Sequence, residues 1–355
     1  MSLTSPIEIN LATLRPAFIR LVGCEVSGFE RIGGGRNSQV YRVDAVGGQR
    51  FALKVYFRHA ADKRDRLATE FGSFTYLWRH GIQEVPRPLT VDTDLGWAVY
   101  QFIEGERISV GQASETEAAA AANFLGRLRV LSCEPESRNL GIASEAFFTV
   151  SEIVENVRQR RALLRESEAN PEYAELASLL RTSFDPLFER VVLWSEARLR
   201  ASGSSSAAEL DWPQRTLSPS DFGFHNALRV GGGDLIFLDF EYFGWDDPAK
   251  MTADFLLHPA MDLSTAVKRR FVSTVLGHFT DLPGLAGRLE AVYPLFGLKW
   301  CMILLNEFRP DQLLRRQFAA TALADLAALQ REQLAKARRM LERIASEYES
   351  FPYRD

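Results

Sequence analysis

The chain has 355 residues, 46 % of them hydrophobic, enough for one large or two modest cores. A formal net charge of −4 argues against the basic stripe of a nucleic-acid binder, so no nucleic-acid partner is expected. The three cysteines, Cys24, Cys133 and Cys301, lie far apart, with neither zinc spacing nor an even set for disulfides. That fits a reducing compartment, and a cytoplasmic protein is expected. The N-terminal residues lack a charged-then-apolar signal pattern. The apolar run Trp300–Leu305 is too short to span a bilayer, so no membrane partner is expected.

From about Phe29 to Glu104 the pattern predicts strand, turn, strand, helix and further strands. Ile32-Gly33-Gly-Gly35-Arg-Asn37-Ser38-Gln-Val40 opens it. Gly33, Gly35, Asn37, Ser38 and Val40 fit a glycine-rich hairpin whose backbone N–H groups can face phosphates, although glycine clusters are more often plain turns. Gly47-Gly48 reads as a second hairpin turn. Beyond it Phe51-Ala-Leu-Lys54-Val-Tyr56 puts a lysine inside an apolar strand, at the distance from the hairpin that would aim it at α/β-phosphates. A helical stretch from Lys63 to His80 carries Glu70 among Phe71, Phe74, Leu77 and Trp78. Glu70 is the expected ion-pair partner of Lys54. Glu84, in a turn before Val85-Pro-Arg-Pro88, is its rival.

From Gly105 the chain turns mainly helical. Glu115–Leu131 is alanine-rich with leucines at helical spacing, and Val150 to about Arg200 reads as long helices broken at Asn170-Pro171 and Asp185-Pro186. Ser202–Ser206 reads as a flexible linker. The most informative segment follows it: Leu217-Ser-Pro-Ser-Asp221-Phe-Gly-Phe-His-Asn226, then Leu235-Ile-Phe-Leu-Asp239-Phe-Glu241. Transfer of a phosphoryl group from ATP needs one carboxylate to orient the acceptor hydroxyl, and an amide and a second carboxylate to hold Mg²⁺. Asp221, Asn226 and Asp239 supply that set in order. Near the C-terminus Leu334, Ala337, Leu341, Ile344 and Tyr348 form a stripe, read as core-facing, with a dimer seam as the alternative. Monomer and homodimer both stay open.

Together these residues resemble the aminoglycoside phosphotransferase and choline kinase family, the small-molecule branch of the protein-kinase-like fold. Val85-Pro-Arg-Pro-Leu89 looks like that family's link after the N-lobe helix, Trp97–Gly105 like its hinge, and Gly244-Trp-Asp246-Asp247-Pro248-Ala249 like its G-D-P-A turn. The resemblance implies an α+β bilobal fold. Residues 1–104 would form an ATP-binding N-lobe, a small antiparallel sheet with one main helix. Residues 105–355 would form a larger helical C-lobe, with a substrate-binding insertion at about 146–205. It implies Asp221 as catalytic aspartate, Asn226 and Asp239 as Mg²⁺ ligands, and Lys54 as the phosphate lysine supported by Glu70. The backbone of Gln101 and Ile103 would read the adenine edge, and Asp254 would brace the catalytic loop. One departure stands out. The family usually has His-Gly or His-Asn before the catalytic aspartate, and this chain has Pro219-Ser220. His225 is expected to be structural or substrate-facing.

The expected activity is ATP- and Mg²⁺-dependent phosphorylation of a hydroxyl on a small molecule: an aminoglycoside or amino sugar, a sugar, or an amino alcohol. The alternative is a nucleotide-binding pseudokinase. Retention of Lys54, Asp221 and Asp239 argues against it. Transfer of a nucleotidyl group is a third reading, which product mass would separate. A polycationic acceptor would want carboxylates, for which Glu241, Asp246, Asp247, Glu152 and Glu155 are candidates. The basic cluster Arg158–Arg161 points the other way. A choline-like acceptor would want an aromatic cage, with Tyr242, Phe243, Trp245 and Trp300 available.

Overall fold

The computed structural model describes residues 11–34, 37–58, 64–309 and 324–354. In chain order the first half runs α1 (Leu11–Val22), β1 (Val26–Gly34), β2 (Ser38–Ala45), β3 (Arg50–Tyr56), α2 (Arg66–Arg79), β4 (Pro88–Asp92), β5 (Trp97–Gln101), β6 (Glu106–Arg107), α3 (Glu115–Leu131) and α4 (Val150–Ala162). It continues with α5 (Arg165–Ala169), α6 (Ala174–Leu179), α7 (Asp185–Ala201), β7 (Thr216–Ser218), β8 (Ala227–Arg229), β9 (Leu235–Phe237), β10 (Gly244–Asp246), α8 (Pro248–Leu257), α9 (Thr265–His278), α10 (Leu285–Leu304) and α11 (Ala324–Glu347). This is the expected mixed α+β architecture, a small antiparallel sheet followed by a helical remainder.

The chain packs as two compact units. The first holds the described residues through Ile108, with Arg138–Ser144 and Pro219–Gly244. Its main sheet is antiparallel, in the order β1-β2-β3-β5-β4. Period-2 alternation buries Tyr41, Val43 and Leu53 on one face, where Leu14 and Phe18 of α1 pack with Trp97 and Val99. Phe18 meets Phe29 and Phe51 edge-on at 5.7 and 5.8 Å. Truncating such a fully buried ring costs about 3–5 kcal/mol. The opposite face carries Lys54, paired across the sheet with Val40 and Ala98. Asp65 caps α2 by accepting the Ala68 N–H at 2.9 Å, which aims the helix and Glu70 with it. A second sheet, β6-β8-β9, carries the segment from Asp221 to Asp239.

The second unit comprises Ser109–Ser137, Glu145–Ser218 and the described residues from Trp245 onwards. Capping boxes at Ser114/Glu117 and Thr149/Glu152 start α3 and α4. α10 lies among α4, α7, α8 and α11. The helical run Leu285–Phe308 is long and apolar enough to cross a membrane, yet 78 % of its most apolar stretch is buried within the protein. The stripe Leu334, Ala337, Leu341 and Ile344 is buried as the core-facing reading expected, and Tyr348 is half-buried.

Two expectations are corrected. Ser202–Ser206 is an ordered turn: Ser202 caps α7, Gly203 takes a left-handed φ of 75°, and the Ser206 carbonyl accepts the Ser151 N–H at 2.9 Å. Small polar residues here are held by backbone bonds, which composition does not register. Asp185-Pro186 does not break the helix either. A π-turn, Leu180–Phe184, runs directly into α7, and this wider turn lies just before the proline, where the helical ladder lacks an N–H.

Candidate active site

Lys54 is the centre of the site. Its Nζ donates to Glu70 Oε2 and to Asp239 Oδ1, both at 2.6 Å. Lys54 and Glu70 are 6 % and 2 % exposed, so this is a desolvated pair whose charges rely on one another. Burial alone would lower the Lys54 pKa, but Glu70 and Asp239 outweigh it and hold the ammonium above its ordinary range. The rival Glu84 instead accepts the Gln83 N–H at 3.0 Å.

Sequence reasoning missed two members of this cluster. Tyr56 OH donates to Glu70 Oε2 at 2.7 Å and meets Tyr100 OH at 2.8 Å. The signal was available: Lys54 and Tyr56 are two apart on β3 and so share a face. Tyr100 pairs with Ala52 and joins that face from β5.

The glycine-rich hairpin is formed by β1 and β2. Gly33 pairs with Val40, and Ser38 with Tyr56. Gly35 lies outside the described residues. Asn37 donates from Nδ2 to Glu241 Oε1 and to Tyr242 OH, each at 2.7 Å, so its amide serves Glu241 and Tyr242. At the end of β5 the Gln101 N–H donates to the Arg87 carbonyl at 2.9 Å. Gln101 can therefore offer a base only its carbonyl. Ile103 follows in the extended segment after β5, half-buried.

Asp221 and Asn226 sit in one tight loop. The Asp221 N–H donates to the Pro219 carbonyl at 3.0 Å, and Asn226 Nδ2 donates to the Asp221 carbonyl at 3.1 Å. With its amide hydrogens turned that way, Asn226 keeps Oδ1 for a cation. The Leu238 N–H donates to the Asn226 carbonyl at 2.7 Å, which ties Asn226 to the residue beside Asp239. Ser220 adopts φ 68° and Asp239 φ 66°, left-handed conformations that side chains with a Cβ rarely take and that cost about 1–3 kcal/mol each. The Ser220 hydroxyl donates to the Ser144 carbonyl at 2.8 Å, and the Ser144 N–H to the Tyr242 carbonyl at 3.1 Å. Left-handed backbone explains why Gly or Asn suits the position before the aspartate, and the Ser144 bond shows how a serine is held there. Asp254 lies in the second unit, where Trp300 Nε1 donates to it at 2.9 Å and Lys250 pairs with it at 3.2 Å.

Several acceptor candidates are engaged elsewhere. Asp246 pairs with Lys250 at 2.7 Å, Asp247 with Arg288 at 2.8 Å, and Glu152 serves its capping box. Glu155 accepts from Gln159 at 3.0 Å, and Glu241 from Asn37. In the basic cluster, Arg160 binds Glu145, and Arg161 binds Glu168 and Asp185. Trp245 and Phe243 are core residues; Trp300 is half-buried.

A sequence model of the phosphotransferase enzyme family matches residues 28–286. No curated protein matches the sequence. Among solved structures, spectinomycin phosphotransferase in complex with ADP and spectinomycin superposes with a TM-score of 0.64 at 14 % identity, covering 98 % of this chain and 99 % of that one. The choline kinase of Cryptosporidium parvum superposes with a TM-score of 0.57 at 12 % identity, covering 97 % and 100 %. Macrolide 2'-phosphotransferase type I superposes with a TM-score of 0.54 at 14 % identity, covering 90 % and 100 %. At such identities the likeness is one of fold.

Proposed function

The chain belongs to the phosphotransferase enzyme family, and from that premise we propose that it is an ATP- and Mg²⁺-dependent kinase acting on a hydroxyl of a small molecule. The observation that carries the reading is Lys54, held at 2.6 Å by both Glu70 and Asp239 in the same unit as Asp221 and Asn226. Such a lysine, its charge favoured and its direction set by its partners, suits the α/β-phosphate oxygens of a nucleotide. The β1–β2 hairpin supplies backbone N–H groups around Gly33 and Ser38, and the Gln101 carbonyl and Ile103 N–H suit the adenine edge. Asn226 Oδ1 and the Asp239 carboxylate are hard oxygen donors, the ligand chemistry Mg²⁺ takes, and the Leu238 N–H bond to the Asn226 carbonyl supports reading the two as one set. A bound Mg²⁺ would neutralise charge developing on the transferred phosphoryl group. Asp221 orients the acceptor hydroxyl and takes its proton as the oxygen attacks the γ-phosphorus in line, the bond to the β-phosphate oxygen breaks and ADP leaves. Catalysis on this reading is positioning plus fixed charge.

For the acceptor, the engaged state of Glu241, Asp246, Asp247, Glu152 and Glu155 weighs against a polycation gripped by those residues. The burial of Phe243 and Trp245 weighs against an aromatic cage made from them. Both favour a neutral polyhydroxy compound such as a sugar. The test is ADP release from Mg·ATP across a panel of sugars, amino alcohols and aminoglycosides, with product mass showing one added phosphoryl group. Turnover confined to aminoglycosides would reverse the acceptor assignment. No turnover across the panel, with nucleotide still bound, would favour the pseudokinase alternative.

A further inference from the structure

Asp221 is held in two ways, and only one of them concerns its backbone. The main chain is pinned on both sides: its N–H donates to the Pro219 carbonyl at 3.0 Å, and its carbonyl accepts from Asn226 Nδ2 at 3.1 Å. The carboxylate itself is a separate matter, set by rotation about the side-chain bonds and by what the side chain bonds to. His225 Nε2 lies 3.1 Å from Asp221 Oδ1. His225 stands on the short turn Phe224–Asn226, and its side chain is 17 % exposed against 38 % for Asp221. The ring is thus the more firmly packed of the two groups. An ionised carboxylate can only accept, so Nε2 must carry the proton in this bond.

Resting on the reading of Asp221 as the group that orients the acceptor, we propose that His225 is its positioning residue. The Nε2–H bond holds Oδ1 and so fixes the turn of the carboxylate towards the acceptor hydroxyl. On that reading His225 acts through Asp221 and not on the nucleotide or the transferred group. Loss of the bond should therefore fall on kcat and leave the KM for ATP alone. A carboxylate that has lost this bond is less firmly aimed, and misplacement on the scale of 1 Å costs up to about 100-fold.

The experiment compares His225→Ala, His225→Asn and His225→Gln with Asp221→Asn, using the acceptor that the panel returns. Glutamine can place an N–H where imidazole Nε2 lies, and asparagine is too short to do so. Expected are a kcat lowered about 10- to 100-fold in the Ala and Asn variants, an unchanged KM for ATP, and kcat restored to within about threefold by Gln. Should the alanine variant fail to fold, the Gln-against-Asn comparison decides alone. Wild-type kcat in His225→Asn, or a Gln variant as slow as Asn, overturns the proposal. Retained turnover in Asp221→Asn would instead remove the role given to Asp221.

Discussion

A lysine buried between two carboxylates is stable only as part of its set. Lys54, Glu70 and Asp239 carry one positive and two negative charges within 2.6 Å contacts, with Tyr56 adding a hydrogen bond to Glu70. Because Glu70 acts through Lys54, their losses should not add. Lys54→Ala should lower kcat/KM for ATP by about 10²–10³, Glu70→Gln by less, and the double variant no more than Lys54→Ala. Steady-state kinetics on the four proteins check this, and additive losses would separate the two residues. Glu145 makes a second residue-scale case. Burial alone would raise its pKa, but Lys299 and Arg160 outweigh it and bring the carboxyl down to about 2. A carboxyl depressed in the folded state stabilises the fold above its unfolded pKa. That contribution shrinks as pH falls from about 5 towards 2. The side chain is 40 % exposed, so solvent screening reduces the effect at pH 7 to about 1 kcal/mol. Glu145→Gln keeps the same left-handed backbone, φ 62°. Its melting temperature should lie below wild type at pH 7 and approach it at pH 3; a gap independent of pH would contradict the assignment.

Among elements, α10 and α11 meet in a close fit. A Cβ built on Gly297 would fall inside the van der Waals radii of Ile344 Cδ1 and Cγ1, and Ile344 is fully buried. Gly297 is thus the notch that lets α11 dock its stripe. Gly297→Ala should destabilise by about 1–3 kcal/mol through overpacking. Ile344→Val in the same background should recover part of that, since it removes the methyl that Cβ would meet. Thermal melts of the two singles and the double give the coupling; a double variant worse than the sum would mean the helices do not meet at this notch. The capped starts of α2, α3 and α4 act differently. They set where each helix begins and are readable as Asp65, Ser114-x-x-Glu117 and Thr149-x-x-Glu152.

At the scale of the whole molecule, the described residues proposed for nucleotide and metal belong to the first unit, although Asp221 and Asp239 lie far along the chain from Lys54. A ligand bridging Lys54 and the Asn226–Asp239 pair should stabilise that unit as one body. Mg·ATP at 100 times its Kd should add about 2.7 kcal/mol of stability. The rise in melting temperature should shrink when EDTA removes the metal, and Asp239→Ala should lose the metal-dependent part. A shift equal with and without Mg²⁺ would rule out Asp239 as a metal ligand.

Sequence alone determined what local chemistry determines. The strand lysine, the ordered Asp221, Asn226 and Asp239, the helix α3 and the core-facing stripe of α11 all follow from residue type at fixed spacing. Spacing also carried Glu70 over Glu84, because an acid amid apolar helix positions points inward. Tertiary structure decided the rest. Asn37 turning to Glu241, the tyrosine pair beside Glu70, Ser220 on the Ser144 carbonyl and His225 on Asp221 all depend on orientation about single bonds. Several join residues tens or hundreds of positions apart. The ordered turn at Ser202–Ser206 belongs here too, since backbone hydrogen bonds hold it and residue type does not encode their partners. The acceptor's receivers are the furthest from sequence. A carboxylate or indole looks the same in a row of letters whether it faces a ligand or is spent on Lys250, Arg288 or Ser137.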